Sequence, residues 1–330
     1  MDISVVIPLL NEEESLPELN KWIHQVMKNH NFSFEIIYVD DGSTDQSWKV
    51  IQGLAKESSA VKALSFRRNY GKSAALNEGF ALTQGKVVIT MDADLQDSPD
   101  EIPELYDLIQ KQDFDLISGW KKERHDPLSK TIPTKLFNAV TRLLTGIQLH
   151  DFNCGLKAYK ADLVKSIEVY GEMHRYIPVI AKSAGFHKIG EKVVQHQARK
   201  YGSSKFGLNR FINGFLDLLT IVFVTIFRKK PMHFFGSIGL IFFLIGFSVA
   251  GALVFQKLYY ATFLQQSTRA VTDQPLFFLA IATAIIGTQL FMSGFVAELI
   301  NRNATGQNTY KKKAFVGISS EQKDHLEGLN

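Results

Sequence analysis

The sequence predicts an α/β domain followed by a two-helix membrane hairpin, and three observations carry this reading. Short β-branched runs alternate with amphipathic, helix-length stretches up to about residue 120, acidic clusters stand where three of those runs end, and the windows 234–256 and 275–297 contain no charged side chain. Alternation of that kind marks a mostly parallel sheet covered by helices.

Five strands are expected, at roughly 3–8, 34–40, 61–66, 86–91 and 114–119, with helix-length stretches at 12–29, 45–57, 72–84 and 99–111. Asp45, after Ser43-Thr44, and Ser98-Pro99 read as helix N-terminal signals. The stretch 121–150 breaks the alternation, setting Lys121, Lys122, Arg124, Lys130, Lys135 and Arg142 against Glu123 and Asp126. Within it Leu136, Phe137, Val140, Leu143 and Leu144 recur at helical spacing, so a basic amphipathic helix is expected at about 128–146. A second is expected within 207–230, where Leu208, Phe211, Ile212, Phe215, Leu219, Val222, Phe223 and Ile226 form a broad apolar stripe before Arg228-Lys229-Lys230.

Each uncharged window has 23 residues and, at about 1.5 Å per residue, reaches about 35 Å, enough for a bilayer core. Arg228, Lys229 and Lys230 precede the first, and Arg302, Lys311, Lys312 and Lys313 follow the second. The positive-inside rule therefore puts both ends of the hairpin in the cytoplasm. The expected organisation is a catalytic-type domain at 1–206, an interface helix at 207–230, a hairpin at 231–302 and a frayed polar tail at 303–330. Met1-Asp2 leads straight into Ile3-Ser4-Val5-Val6-Ile7 without a basic leader segment, so a cleaved export signal is not expected.

The 330 residues carry 37 Lys+Arg against 33 Asp+Glu, a net charge of +4, which excludes a histone-like, nucleic-acid-coating protein. Cys154 is the sole cysteine, so no internal disulfide framework exists. No Gly-x-Gly-x-x-Gly follows the first strand, and Gly71-Lys72-Ser73 has Phe66 where a P-loop needs its leading glycine, which removes dinucleotide and NTPase readings.

What stands at the strand ends is acidic: Asn11-Glu12-Glu13-Glu14, Asp40-Asp41 and Asp92-Ala93-Asp94. Ligands of open α/β sheets bind at those ends. Carboxylates gathered there call for a cation or a hydroxyl-rich ligand. Asp92 and Asp94, joined by Gln96, offer hard oxygen ligands suited to Mg²⁺ or Mn²⁺ that also holds a diphosphate. Asp40 and Asp41, with Gly42 permitting close approach, suit a base or ribose; plain turn chemistry is the rival reading.

Four ordered stretches, Val6-Ile7-Pro8-Leu9-Leu10-Asn11-Glu12, Val39-Asp40-Asp41-Gly42-Ser43-Thr44-Asp45, Arg68-Asn69-Tyr70-Gly71-Lys72 and Met91-Asp92-Ala93-Asp94-Leu95-Gln96, resemble a family 2 glycosyltransferase with the nucleotide-sugar-binding GT-A fold. The downstream stretches 119–127, 150–157 and 197–206 resemble the polyprenyl-phosphate branch, which includes dolichyl-phosphate mannose synthases and bactoprenol glucosyltransferases. The resemblance implies a nucleotide-sugar site of Pro8, Leu10, Glu12, Asp40, Asp41, Lys72, Asp92 and Ala93, with the metal at Asp92, Asp94 and Gln96. It also implies phosphate or lipid-phosphate contacts from Arg124, Lys130, Arg199, Ser203 and Lys205, and catalytic roles for Asp94, Asp151 and Arg124. Asp151 is expected to orient the acceptor rather than act as a base, because a phosphate monoester with a second pKa of about 6 is already largely ionised. Cys154 is expected to be a packed side chain.

The expected activity is that of an inverting, Mg²⁺- or Mn²⁺-dependent glycosyltransferase moving a hexose, with UDP-glucose the favoured donor, onto undecaprenyl phosphate at the cytoplasmic leaflet of a bacterial inner membrane. GDP-mannose, UDP-N-acetylglucosamine and a UDP-aminoarabinose derivative are the alternative donors, and a non-catalytic nucleotide-sugar-binding scaffold is the alternative class. A processive synthase fits less well, because Gln195-His196-Gln197-Ala198-Arg199-Lys200 ends in lysine where that group has tryptophan. The resemblance hints at a homo-oligomer, with a tetramer as the expected form, and no nucleic-acid partner is expected.

Overall fold

The structure, a computed structural model, describes residues 1–122, 138–143, 145–171, 173–197, 200–201, 231–267, 269–303 and 312–318. It divides into two units, Met1–Val222 with Asn308–Asn330, and Phe223–Gln307.

The first unit is built on β1 (Ile3–Leu9), α1 (Leu16–Asn29), β2 (Phe34–Asp40), α2 (Ser47–Glu57), β3 (Val61–Phe66), α3 (Lys72–Leu82), β4 (Val87–Thr90), α4 (Ile102–Gln110) and β5 (Leu116–Trp120). All five expected strands are present within a residue or two. β1 is buried along its whole length, as a strand covered on both faces must be. α1 starts at Leu16-Pro17 and buries Leu16, Leu19, Ile23, Val26 and Met27, which recur every three or four residues, against Ile3, Val5 and Ile7.

After β5 come β6 (Lys157–Lys160), α5 (Ala161–Ser166), α6 (Ile177–Ser183) and β7 (Ile189–Val193). With β8 (Lys312–Val316), the sheet has the order β7-β5-β6-β4-β1-β2-β3-β8. β1 pairs in parallel with β2 and β4, so Leu9 lies beside Asp40 and Val6 beside Thr90. β5 does not continue this array. β6 is inserted antiparallel between β4 and β5, aligning Thr90 with Lys157 and Ser118 with Lys157. The sequence reading missed β6 because four residues bounded by lysines give too short a period to separate from a loop.

The tail expected to fray is corrected in part. Lys312–Val316 is β8, which pairs antiparallel with β3 from Ala63↔Val316 to Phe66↔Lys312. Main-chain pairing along an open sheet edge stabilises a strand whatever its side chains, so a lysine-rich segment orders there. The chain thus leaves the sheet unit before the hairpin and returns to it afterwards.

Of the first amphipathic helix, residues 138–143 are described and helical. Asn138 and Thr141 are buried, with Asn138 Nδ2 donating to the His150 carbonyl at 2.7 Å, while Leu143 is 84% exposed. This turn packs its polar side on its own domain and leaves an apolar side outward. The remainder of that helix and the helix expected in 207–230 lie outside the described residues.

The second unit contains α7 (Pro231–Thr262) and α8 (Pro275–Asn303), both long and apolar enough to cross a membrane. Phe247, Phe255, Leu279 and Ile300 are each at least 64% exposed, whereas a helix of this composition in a soluble core would be covered. The two helices approach backbone to backbone through glycines. A Cβ on Gly287 would lie 2.4 Å from the Phe243 nitrogen and 2.6 Å from the Gly239 carbonyl oxygen. Gly287→Leu is therefore expected to force α7 and α8 apart and lower stability by about 1–3 kcal/mol, read as thermal unfolding in detergent. An unchanged midpoint would refute the close approach.

Candidate active site

The carboxyl ends of β1, β2 and β4 bring their acidic turns to one edge of the sheet. Most of the carboxylates at the first two ends are already engaged by main-chain N–H groups. Glu13 Oε2 accepts from the Gln46 N–H at 2.6 Å, and Asn11 Oδ1 from the Thr44 N–H at 2.8 Å. Ser43 and Ser47 hydroxyls accept in turn from the Asn11 and Glu12 N–H groups at 2.9 and 2.8 Å. The Glu13 carboxylate is thus held by the turn that follows β2, while Glu12 Oε2 accepts from the Ser15 hydroxyl at 3.3 Å.

Asp40 Oδ1 accepts from the Ser43 N–H at 2.9 Å and Oδ2 from the Ser65 hydroxyl at 2.8 Å. Asp41 accepts from the N–H groups of Tyr70 and Gly71 at 2.7 and 2.9 Å, one on each oxygen. Burial, and then Asp40 nearby, raise the Asp41 pKa against those two donors. Asp41 is thus the clamp that shapes the Arg68–Lys72 loop. Gly42, at φ 76, is required there: a Cβ would lie 2.5 Å from the Arg68 carbonyl carbon. Pro8 is the penultimate residue of β1, and Leu10, beyond its end, is 37% exposed beside these turns.

The β4 turn is held differently. The Lys72 ammonium, at the start of α3, bonds to Asp92 Oδ1. Burial alone would raise the Asp92 pKa, but Lys72, Lys121 and Lys157 outweigh it and hold the carboxyl at about 2. Ala93 and Asp94 are buried, and Asp94 Oδ1 accepts from the Gln96 N–H at 3.2 Å. The Gln96 main-chain carbonyl accepts from the Gln197 N–H at 3.0 Å, which leaves its side-chain carbonyl for a ligand. Two carboxylates and an amide oxygen form a hard donor set. Too few for an all-protein cage, they fit Mg²⁺ or Mn²⁺ completed by phosphate oxygens and water.

Beneath this turn Asp97, fully buried, bonds to Lys121 at 2.7 Å. Burial would depress the Lys121 pKa, but Asp97 and Asp92 hold it above its ordinary value. Asp97 also pairs through its main chain with His196, so this residue ties the metal-type turn to Lys121 by its carboxylate and to the segment before residue 198 by its backbone. Asp151 is buried, its Oδ1 accepting from the Asn153 N–H at 3.0 Å. Cys154 is buried, and burial first, then Asp97, push its thiol up to about 12, so it is packing and not a nucleophile. Arg124, Lys130, Arg199, Ser203 and Lys205 lie outside the described residues.

A family model described as Glycosyl transferase family 2 matches residues 4–168. The chain is also 33% identical over 305 residues to dodecaprenyl-phosphate galacturonate synthase of Rhizobium johnstonii, covering 92% of this chain and 88% of that one. The chain belongs to glycosyl transferase family 2. A second relative in this glycosyltransferase family, undecaprenyl-phosphate 4-deoxy-4-formamido-L-arabinose transferase of Pseudomonas aeruginosa, is 35% identical over 302 residues, covering 91% of this chain and 85% of that one. Glucosyl-3-phosphoglycerate synthase of Mycobacterium tuberculosis, solved with uridine diphosphate, matches with a TM-score of 0.53 at 20% identity over 68% of this chain and 79% of that one, which shows the GT-A type of fold.

Sequence reasoning gave no role to Lys157, His174 or Arg175, nor to the pairing of Lys121 with Asp97. Tertiary folding brings all of them to the site, and single basic residues at these spacings carry no signal of their own. Lys157 is 3% exposed and donates to the Cys154 carbonyl, while His174 contacts the Ser73 hydroxyl at 3.1 Å.

Two outcomes follow from this glycosyltransferase geometry. Asp97→Asn strands the Lys121 charge in the interior and is expected to cost about 3–5 kcal/mol in denaturant unfolding, with much of it recovered in the Asp97→Asn/Lys121→Met double variant. Failure of the second substitution to recover stability would show that the pair is not the relevant contact. Gly155→Ala would put a Cβ 2.5 Å from Asp92 Oδ2. The carboxylate must then turn aside, and Mn²⁺ affinity is expected to fall about 10-fold by calorimetry, in keeping with displaced metal-site support.

Proposed function

We propose that this family 2 enzyme transfers a sugar from a nucleoside-diphosphate donor to a polyprenyl phosphate at the cytoplasmic face of the bacterial inner membrane, with Mg²⁺ or Mn²⁺ at Asp92, Asp94 and Gln96. The observation that carries it is the site at the β4 end: two carboxylates and an amide on one turn, backed by Lys72, Lys121 and Lys157, in a chain that also holds two membrane-length helices. Two relatives matching over nine-tenths of the chain are named as polyprenyl-phosphate sugar transferases, one for galacturonate and one for 4-deoxy-4-formamido-L-arabinose. The fold neighbour was solved with Mn²⁺, UDP-glucose and phosphoglyceric acid together.

The lipid phosphate oxygen attacks the anomeric carbon as the bond from that carbon to the diphosphate oxygen breaks, and the nucleoside diphosphate leaves with the electron pair. When bound, the metal ion stabilises the charge on that leaving diphosphate. Asp40, Lys72 and the adjoining turns hold the nucleotide, and Asp151 orients the acceptor, which needs no base because its phosphate is ionised near neutral pH. Arg124, Lys130, Arg199, Ser203 and Lys205 are the proposed contacts to phosphate, adjacent in sequence to the two amphipathic stretches. Uridine is the base and UDP-glucose the donor that the sequence favours.

The return of β8 to the sheet that precedes the hairpin supports both ends of the hairpin lying on one side of the membrane. Detergent-purified protein given undecaprenyl phosphate, Mn²⁺ and radiolabelled UDP- and GDP-sugars is expected to move label into the organic phase, and Asp94→Asn to lower the rate at least about 100-fold, since metal stabilisation of the leaving group is worth several kcal/mol. No transfer from any donor, in protein that UDP stabilises against heat only with Mn²⁺, would assign it to nucleotide-sugar binding without catalysis.

A further inference from the structure

Three ammonium groups, those of Lys72, Lys121 and Lys157, act on the Asp92 carboxylate. Two of them are fixed by other bonds, Lys121 to the Asp97 carboxylate at 2.7 Å and Lys157 to the Cys154 carbonyl. Lys72 is bonded to Asp92 itself. It is also the one with room to move, its side chain being 32% exposed against 13% for Lys121, with Lys157 buried. Lys72 opens α3, where the helix dipole opposes a cation, so its ammonium needs an anion beside it wherever it points.

Both oxygens of the Asp92 carboxylate are covered. Oδ1 accepts from Lys72, and Oδ2 lies so close to Gly155 that a Cβ there would be 2.5 Å away. The Gly155 wall is main chain, pinned by the Thr90 hydroxyl, which donates to its carbonyl at 2.9 Å. Of the two covers, therefore, only the lysine can give way. A divalent ion that takes Asp92 as a ligand must displace the Lys72 ammonium, and the displaced charge then stands close to a dication and is repelled by it.

A nucleoside diphosphate removes that conflict. Its anionic oxygens complete the metal's shell on one side and receive the ammonium on the other.

We propose that Lys72 is an exchangeable counter-ion, which holds Asp92 until metal and donor arrive together and then passes to the diphosphate, so that the metal alone is bound weakly and the metal with nucleotide tightly. This rests on the metal site of the transferase reading above and adds to it a residue that makes each ligand the condition for the other. By linkage, nucleotide and metal then strengthen each other's binding by one common factor.

The test is calorimetry on the full-length protein in detergent, with Mn²⁺ titrated in the presence and absence of UDP. In the wild type, UDP is expected to tighten Mn²⁺ binding by roughly 5- to 150-fold, the usual range for coupled sites. Lys72→Met should tighten Mn²⁺ binding without UDP by about 10-fold, because nothing then competes for Asp92 Oδ1, and weaken UDP binding at saturating Mn²⁺ by about 10-fold, the share of one charge-assisted hydrogen bond. Opposite signs distinguish exchange from its rivals. General damage to the site lowers both affinities, and a lysine that only contacts phosphate lowers the second alone; either result overturns the inference while leaving the transferase reading intact. Lys72→Arg, which keeps a cation for Oδ1, should bind Mn²⁺ without UDP as weakly as the wild type, and an arginine variant as tight as the methionine variant overturns the inference too. Lys72→Gln, neutral and polar, serves for the same measurement if the methionine variant does not fold. Absence of Mn²⁺ binding to the wild type even with UDP overturns the metal site and the inference together.

Discussion

Parallel pairing of β1 with β2 and β4 gathers three acidic turns on one edge of the sheet, and the architecture of the site is the answer to that concentration of negative charge. The answer differs from turn to turn. At the β1 and β2 ends, main-chain N–H groups and hydroxyls neutralise Glu13, Asp40 and Asp41. Those bonds are short, local and fixed by loop shape. At the β4 end, the balancing charges are lysine ammonium groups from α3 and from the end of β5. A long side chain can yield its place to a divalent ion and a diphosphate, whereas a main-chain N–H cannot, so ligand chemistry falls to the β4 turn.

The insertion of β6 between β4 and β5 gives that turn its surroundings. It sets Thr90 beside Lys157 and carries the 151–157 turn over the metal-type carboxylates, close enough that only a glycine fits at 155. The same insertion brings Lys157 into the interior, where it lines a small pocket with His174 and Arg175 of the short helical turn Met173–Tyr176. The residues proposed for metal support and for acceptor orientation therefore share one piece of backbone. Asp97 plays the corresponding part from below, holding the β4 turn to Lys121 and to His196.

Much of this was legible in the residues themselves. The five central strands lie where the β-branched runs stand, because a strand buried on both faces needs an unbroken apolar run. The DxD-type turn was legible because two carboxylates directly after a strand have few structural uses. What holds the Asn11–Glu14 cluster was not legible, for the converse reason. Its partners, Thr44 and Gln46, lie more than thirty residues away, and main-chain donors leave no mark in a sequence. β8 was missed for a related reason, since an edge strand is ordered by its neighbour's main chain more than by its own side chains.

By itself the sequence determined the fold class, the two membrane-length helices, the acidic turn after β4 and the family, all of which follow from local periodicity, composition or contiguous motifs. Tertiary structure alone decided the partner of each charge: that Lys72 meets Asp92, that Lys121 meets Asp97 from 24 positions away, and that Lys157 and Arg175 line one small pocket. The physical reason is that hydrophobic period and turn chemistry are properties of neighbouring residues, whereas electrostatic balance in a buried site depends on distances that exist only once the sheet order is set.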